Sequence, residues 1–301
     1  MTPRIWLIAG PTASGKSALA MALARKFGAD IISADALQLY ADLPILSAAP
    51  SPEDQVQLPH HLVGVADAAD GWSVGRWQTA ARVLLDQNRP FVVVGGTGLY
   101  FRALTRGLAA MPTLPPGLRA QVQAEYDALG EEGFRVRLAQ IDPAAETRIM
   151  ARDRQRLSRA WEVYAGTGRS LSDWQADNAG ALSQGSWRGV LLEPPREALY
   201  DRCNTRFVGM VAAGALEEVA ALSARDLPPD LPALKAVGYR ELAAHLRGEL
   251  SLEAAIAAAQ METRRYAKRQ TTWARGQMAE WPRIKDLDPK AQLAALNLLI
   301  G

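Results

Sequence analysis

The sequence predicts an α/β protein in which a parallel sheet flanked by helices is interrupted by a helical insertion. Three observations carry that class. Two continuous apolar runs, IWLIAG at 5–10 and FVVVGGTG at 91–98, close on glycine, as strands buried on both faces do. Helix-forming stretches at 17–27 and 74–87 alternate with them. Beyond Met111 the texture turns helical and rich in breakers, and strand character returns only at WRGVLLEP, 187–194.

In chain order, the first strand breaks at Gly10 and gives way to a helix over Ser17–Phe27. ADIISADALQLY (29–40) is a second strand that leaves the apolar layer between Ser33 and Asp35, and Val74–Gln87 reads as the next helix. After the strand at 91–98, MPTLPPG (111–117) breaks the pattern, and AGTGRSLSDWQADNAGALSQGS (165–186) is dense in turn formers. The chain therefore divides into a core, 1–112 and 188–301, and a helical insertion domain, 113–187. Helices dominate from Glu197 onward, with no internal repeat and no low-complexity tract.

The 301 residues are 49% hydrophobic and 22% charged, the balance of a globular protein with a substantial core. No apolar run is long enough to span a bilayer, and the N-terminus lacks the order of a signal peptide, so a cytoplasmic location away from membranes is expected. Cys203, the single cysteine, excludes an internal disulfide, and no Cys/His cluster has zinc-site spacing. His60 and His61 are adjacent, so one helix face cannot present both to a metal, and their apolar neighbours favour a structural use. Formal charge is only +2, with 34 basic residues against 32 acidic. The basic ones gather in TRIMARDRQRLSRAW (147–161) and TRRYAKRQTTWARG (263–276), both candidates for contact with a polyanion.

Gly10, Gly15, Lys16 and Ser17 fit G-x-x-x-x-G-K-[ST], placed where that motif has to be, between a buried strand and a helix. Pro11, Thr12, Ala13 and Ser14 complete a loop whose backbone N–H groups turn inward around phosphate. Lys16 adds a point charge, and the Ser17 hydroxyl is a ligand for Mg²⁺. The expected fold is thus P-loop NTPase-like. Yet FVVVGG ends in glycine where a Walker B strand ends in aspartate, so the loop need not hold ATP for hydrolysis.

GPTASGKS (10–17), ISADALQLY (32–40), PHHL (59–62), VVGGTGLY (93–100), QRLSRAWEVY (155–164), KAVGYRE (235–241) and AKRQTTW (267–273) together resemble the tRNA dimethylallyltransferase family of bacterial type. The resemblance implies a monomeric enzyme that moves a dimethylallyl group from dimethylallyl diphosphate to N6 of the adenosine 3′ of the anticodon. That adenosine is tRNA position 37, in tRNAs reading codons that begin with U. The loop then holds the donor's diphosphate. By the same resemblance Asp35 is the general base for N6, Thr97 bonds the diphosphate near its bridging oxygen, and Lys16 stabilises the departing charge. The paired glycines of GGTG are expected to admit close approach of backbone to that group. Arg206 is a candidate second cation, with Arg202 and a plain surface role in competition.

Contact with the anticodon stem-loop is also implied. Asp35, Ala36, Leu37 and Gln38 are expected in it, with Thr97 and Arg119, and Gln38 is a reader of a base edge. The motifs add Gln155, Arg156, Leu157, Ser158 and Arg159, then Lys235, Ala236, Val237, Gly238, Tyr239 and Arg240. If 263–276 is helical, Arg264, Lys268 and Arg275 lie near one face, Arg265 and Arg269 flank it, and Tyr266 and Trp273 interleave as stacking groups. By composition alone the segment also reads as a solvated basic helix with its aromatics in the core. Ala49 stands where the family pattern has lysine and Ala36 where serine is frequent; activity is expected to survive both. Rival readings are an adenylate prenyltransferase, a small-molecule P-loop kinase and a non-catalytic RNA-binding protein.

Overall fold

The computed structural model describes residues 4–109 and 111–300. In chain order these form β1 (Ile5–Ala9), α1 (Lys16–Phe27), β2 (Asp30–Ser33), α2 (Pro52–Gln57), β3 (His60–His61), α3 (Val74–Leu85), β4 (Phe91–Gly95) and α4 (Gly98–Arg106). There follow β5 (Leu108–Ala109), α5 (Leu118–Ile141), α6 (Pro143–Arg148), α7 (Arg154–Thr167), α8 (Leu171–Ala176) and β6 (Asn178–Ala179). The remainder is β7 (Trp187–Leu192), α9 (Arg196–Ala212), α10 (Ala215–Ser223), α11 (Tyr239–Leu246), α12 (Leu252–Gln277), β8 (Arg283–Ile284) and α13 (Pro289–Ile300). The chain makes two compact units, Met1–Ala103 with Leu182–Gly301, and Leu104–Ala181.

In the first unit six strands form one sheet in the order β3-β2-β4-β1-β7-β8, every pairing parallel. β1 lies at the centre, with Ile5 opposite Phe91 on one side and Trp187 on the other. All five of its residues are buried, which is why it reads as an uninterrupted apolar run. Trp6 and Ile8 pack with Leu19, Leu23, Ile31, Val92 and Leu192 into the main core. A parallel sheet presents all its strand C-termini at one edge, and the loops after β1, β2, β4 and β7 leave from it.

One expectation changes. The segment 29–40 is strand only to Ser33; beyond it Ser33 and Asp35 hydrogen-bond to nearby chain and fold 34–40 into turns. Helices dominate the C-terminal half as expected, and the short β8 adds to β7 through Leu191↔Arg283 and Leu192↔Ile284. β3, β5, β6 and β8 each span two residues and carry no periodic pattern to read. His60 and His61 support the β3 edge: His61 Nε2 lies 2.7 Å from Asp30 Oδ2, and His60 Nδ1 2.8 Å from the Leu58 carbonyl. Among the described residues no group of three or more His, Cys, Asp or Glu side chains is arranged to hold a metal, and no helix is long and apolar enough to cross a membrane.

The second unit starts at Leu104 and ends at Ala181, against the 113–187 suggested by the breaker clusters. Antiparallel pairing of Leu108 with Ala179 and of Ala109 with Asn178 closes its base. α5 is interrupted at Gly130, whose φ of 68° and ψ of 175° only glycine adopts without strain. Val122, Phe134 and Leu138 of α5 pack on Leu157, Ala160 and Val163 of α7, the last three at helical spacing.

Candidate active site

The loop after β1 owes its shape to backbone. Ala13 and Gly15 have φ of 64° and 91°, which turns successive N–H groups to one side. A Cβ at Gly10 would lie 2.8 Å from Ser14 Oγ and 3.0 Å from Leu192 Cβ, so the chain can turn there only without one. Gln292, buried on α13, backs the loop: its Nε2 donates to the Ser14 carbonyl at 2.8 Å, and its Oε1 would be 2.9 Å from a Cβ at Gly15. α1 then starts at Lys16 with no side-chain cap, leaving its first N–H groups to an anion.

Two cations meet at this loop. Lys16 Nζ donates to the Pro11 carbonyl at 3.4 Å, and Arg206 Nη2 on α9 donates to Thr12 Oγ1. Burial brings Lys16 down to about 8; the nearby Asp35 carboxylate opposes that fall, and the Arg206 guanidinium adds to it. Arg206 is itself lowered, first by burial, with Cys203 and Asp35 opposing. Two partly buried cations side by side make a place where an anion is favoured. The rival cation Arg202 is exposed.

The turn after β2 is built instead from side chains. Asp35 Oδ1 accepts the Leu37 N–H at 3.0 Å, an Asx turn that fixes the carboxylate. Thr97 locks the same turn to the β4 loop: its N–H donates to the Ala34 carbonyl at 3.1 Å, and its Oγ1 accepts the Ala36 N–H at 3.0 Å. Gln38 does not present a free edge. Its Oε1 accepts from Ser33 Oγ at 2.7 Å and its Nε2 donates to the Ala48 carbonyl at 2.9 Å, so it steadies the 46–50 loop. Glu218 on α10 holds the preceding stretch, accepting from the Ile45 and Leu46 N–H groups at 2.7 and 2.9 Å. Burial pushes the Glu218 carboxyl up, and those two bonds oppose the rise.

Helix α12 joins loop and turn. Gln270 Oε1 accepts the Thr12 N–H at 2.8 Å, and Gln270 Nε2 donates to the Gly96 carbonyl at 3.0 Å. Tyr266, one turn earlier, hydrogen-bonds to the side chains of Gln270 and Thr97; burial and the Asp35 charge push its phenol well up. The GGTG glycines do serve close approach, but of protein to protein. A Cβ at Gly96 would overlap Gln270, one at Gly98 would overlap the Trp273 ring, and one at Gly95 the Ala34 carbonyl. Trp273 packs on Gly98 and Tyr266 turns toward Gln270 and Thr97, and both rings are half-buried. Tyr100, stacked on Trp77 at 4.2 Å, is a further phenol raised by burial and by Asp35. Gln270 and Tyr100 are site residues that the sequence reading does not single out, although both lie inside the quoted motifs AKRQTTW and VVGGTGLY.

The other expected contacts divide by exposure. Lys235 and Arg240 are exposed, whereas Ala236 and Gly238 are buried; Gly238 starts α11 at φ 94°, and a Cβ there would lie 2.5 Å from Phe207. Val237 and Tyr239 are half-buried, and Tyr239 Oη lies 3.1 Å from Ser223 Oγ. On α12, Arg265 and Lys268 are exposed, Arg265 paired with Glu262; Arg264 donates to Asn204 at 2.6 Å, and exposed Arg269 lies over the Tyr266 ring. In the second unit Arg119, Gln155, Arg156 and Arg159 are exposed, but Leu157 and Ser158, at 0% and 1% exposure, belong to its core and offer no side chain to a partner.

Residues 38–277 match the sequence model described as IPP transferase, and residues 3–59 the one described as isopentenyl transferase. The tRNA dimethylallyltransferase of Phenylobacterium zucineum is 62% identical over 97% of this chain and 96% of its own. This chain belongs to the tRNA dimethylallyltransferase family. Among solved members, the tRNA isopentenylpyrophosphate transferase of Bacillus halodurans is 30% identical, with a TM-score of 0.69 over 99% of this chain and 96% of that one. A eukaryotic dimethylallyltransferase acting on tRNA shares the fold at a TM-score of 0.83 and 24% identity, over 99% of this chain and 78% of its own. The P-loop NTPase-like fold expected from the loop motif is therefore the fold of the family.

Proposed function

We propose that this chain transfers the dimethylallyl group of dimethylallyl diphosphate to N6 of the adenosine 3′ of the anticodon, in tRNAs reading codons that begin with U, and releases diphosphate. The observation that carries this reading is the phosphate loop with Lys16 and Arg206, joined to the Asp35 turn through Thr97 and through Gln270, which bonds both Thr12 and Gly96. β4 ends in Gly95, so no carboxylate at its end serves a hydrolytic metal.

Breaking the allylic C–O bond leaves charge on the diphosphate. The inward N–H groups, Lys16 and Arg206 stabilise that charge more than they stabilise the intact donor, which accelerates the step. Thr97, whose hydroxyl is held by the Ala36 N–H and the Tyr266 phenol, is the residue assigned to bond the diphosphate near its leaving oxygen. Asp35, oriented through Leu37 and Thr97, accepts the proton that N6 loses as it bonds to the allylic carbon. Ser17, exposed in the first turn of α1 beside the loop, would hold a Mg²⁺ ion through its hydroxyl together with the bound diphosphate. Such an ion supplies charge neutralisation on the diphosphate.

Exposed cations on α12, with Lys235 and Arg240, suit the phosphates of an anticodon stem-loop. Incubation with labelled dimethylallyl diphosphate and unmodified tRNA, followed by nucleoside analysis, should yield a labelled adenosine. Brisk ATP hydrolysis with both substrates untouched overturns the reading, and transfer to free AMP assigns the adenylate reaction instead. A monomer in the cytoplasm is the proposed working state.

A further inference from the structure

A cavity of about 570 Å³ opens between the start of α9 and the later turns of α12, at the end of β7. That volume falls within the range of small-ligand pockets. Its lining brings together five cations, Arg196, Lys268, Arg275, Arg283 and Lys285, against one carboxylate, Glu193. Glu193 is buried and already committed: Arg275 Nε bonds one oxygen, and Arg283 Nη1 the other at 2.7 Å. Lys268 and Lys285 make no ion pair with a described residue, and Arg196 lies 5.0 Å from the centre of the Tyr200 ring. Cations gathered around one concavity repel each other until an anion enters.

Leu199 and Tyr200 give the cavity an apolar side. Leu199 also belongs, with Cys203 and Ala267, to a small cluster on which Ala13 of the phosphate loop packs. The cavity is thus next to the loop yet divided from it by side chains. None of its lining residues belongs to the 10–17 loop or to the Asp35 turn. α9 starts at Arg196, preceded by Pro195 with no side-chain cap, so its positive end adds to the potential there.

We propose that this cavity is a second anion site, which takes the phosphates of a small organic diphosphate and lays its apolar body against Leu199 and Tyr200. Convergence of the cations on a pocket, where a nucleic-acid track spreads them along a face, favours a small ligand over an RNA strand. An allylic diphosphate and a nucleoside diphosphate share the required chemistry.

Calorimetric titration of the full chain with inorganic diphosphate tests this without reference to transfer activity. Two sites are expected in the wild type. Lys16→Ala should abolish one, and Arg196→Glu combined with Lys285→Glu should weaken the other by at least ~10-fold. Both changes are at exposed positions, and circular dichroism checks that the fold is kept. Displacement of diphosphate from the Lys16→Ala protein by dimethylallyl diphosphate or by ADP identifies the source. A single site abolished by Lys16→Ala, or a second site indifferent to the charge reversal, overturns the proposal. Loss of tRNA affinity in the charge-reversed protein with diphosphate binding unchanged reassigns the cavity to RNA.

Discussion

The loop after β1 and the turn after β2 leave the same edge of one sheet and are built in opposite ways. The first is a backbone object: its form lies in φ angles at Ala13 and Gly15, and its ligands are N–H groups. The second is a side-chain object, in which Ser33, Asp35, Gln38 and Thr97 each hold a neighbouring segment. A backbone cradle suits a diffuse charge spread over several oxygens, while a proton acceptor has to point one oxygen at one atom. The two halves of the proposed reaction make those two demands.

The largest effect should separate them. Asp35→Ala is expected to slow transfer by ~10²- to 10⁴-fold while tRNA affinity stays near wild type, measured as single-turnover rate against filter binding. Equal loss of both counts against a proton-accepting role. Lys16→Met should cost ~10²- to 10³-fold in transfer and weaken the donor more than tRNA.

Lys16 also carries a pH signature. Folding lowers it from 10.5 to about 8, so between those limits the unfolded chain binds more protons and stability rises with pH. Denaturant titration should show that rise in the wild type and a flatter profile in Lys16→Met. A smaller effect tests the joint between the regions. Gln270→Leu leaves the Thr12 N–H and the Gly96 carbonyl without their partner, which should destabilise the protein by about 1–3 kcal/mol and raise the donor KM. Smallest is the surface term: Arg265→Ala with Lys268→Ala should weaken tRNA binding several-fold and lower its salt slope by about one unit. An unchanged slope removes α12 from the interface.

How much was legible follows the same division. The phosphate loop was open to reading because its geometry demands glycine and lysine at fixed spacing, and the central strands because burial on both faces leaves uninterrupted apolar runs. The Asp35 turn was not, since a lone aspartate after a strand is as often a cap, and its assignment came only with the family likeness. Gln270 joins residues 258 and 174 positions away, a contact that no local pattern announces. AKRQTTW carries the family likeness as a whole, and nothing in it marks the neutral glutamine as the joint. In QRLSRAWEVY the buried and exposed positions alternate at helical spacing: Leu157, Ala160 and Val163 form an inward stripe, while Gln155, Arg156 and Arg159 stay exposed.

Gln292 ties the phosphate loop to a helix that shares no motif with it. Its Nε2 reaches both the Ser14 carbonyl and the Asp286 carbonyl, each at 2.8 Å, so the turn ahead of α13 and the loop ahead of α1 are braced by one amide. A protein cut before Pro289 keeps every letter of the fingerprint and loses the strut beneath it. Clipping at that turn by a protease, slowed when diphosphate is bound, becomes a gauge of how firmly the loop is held.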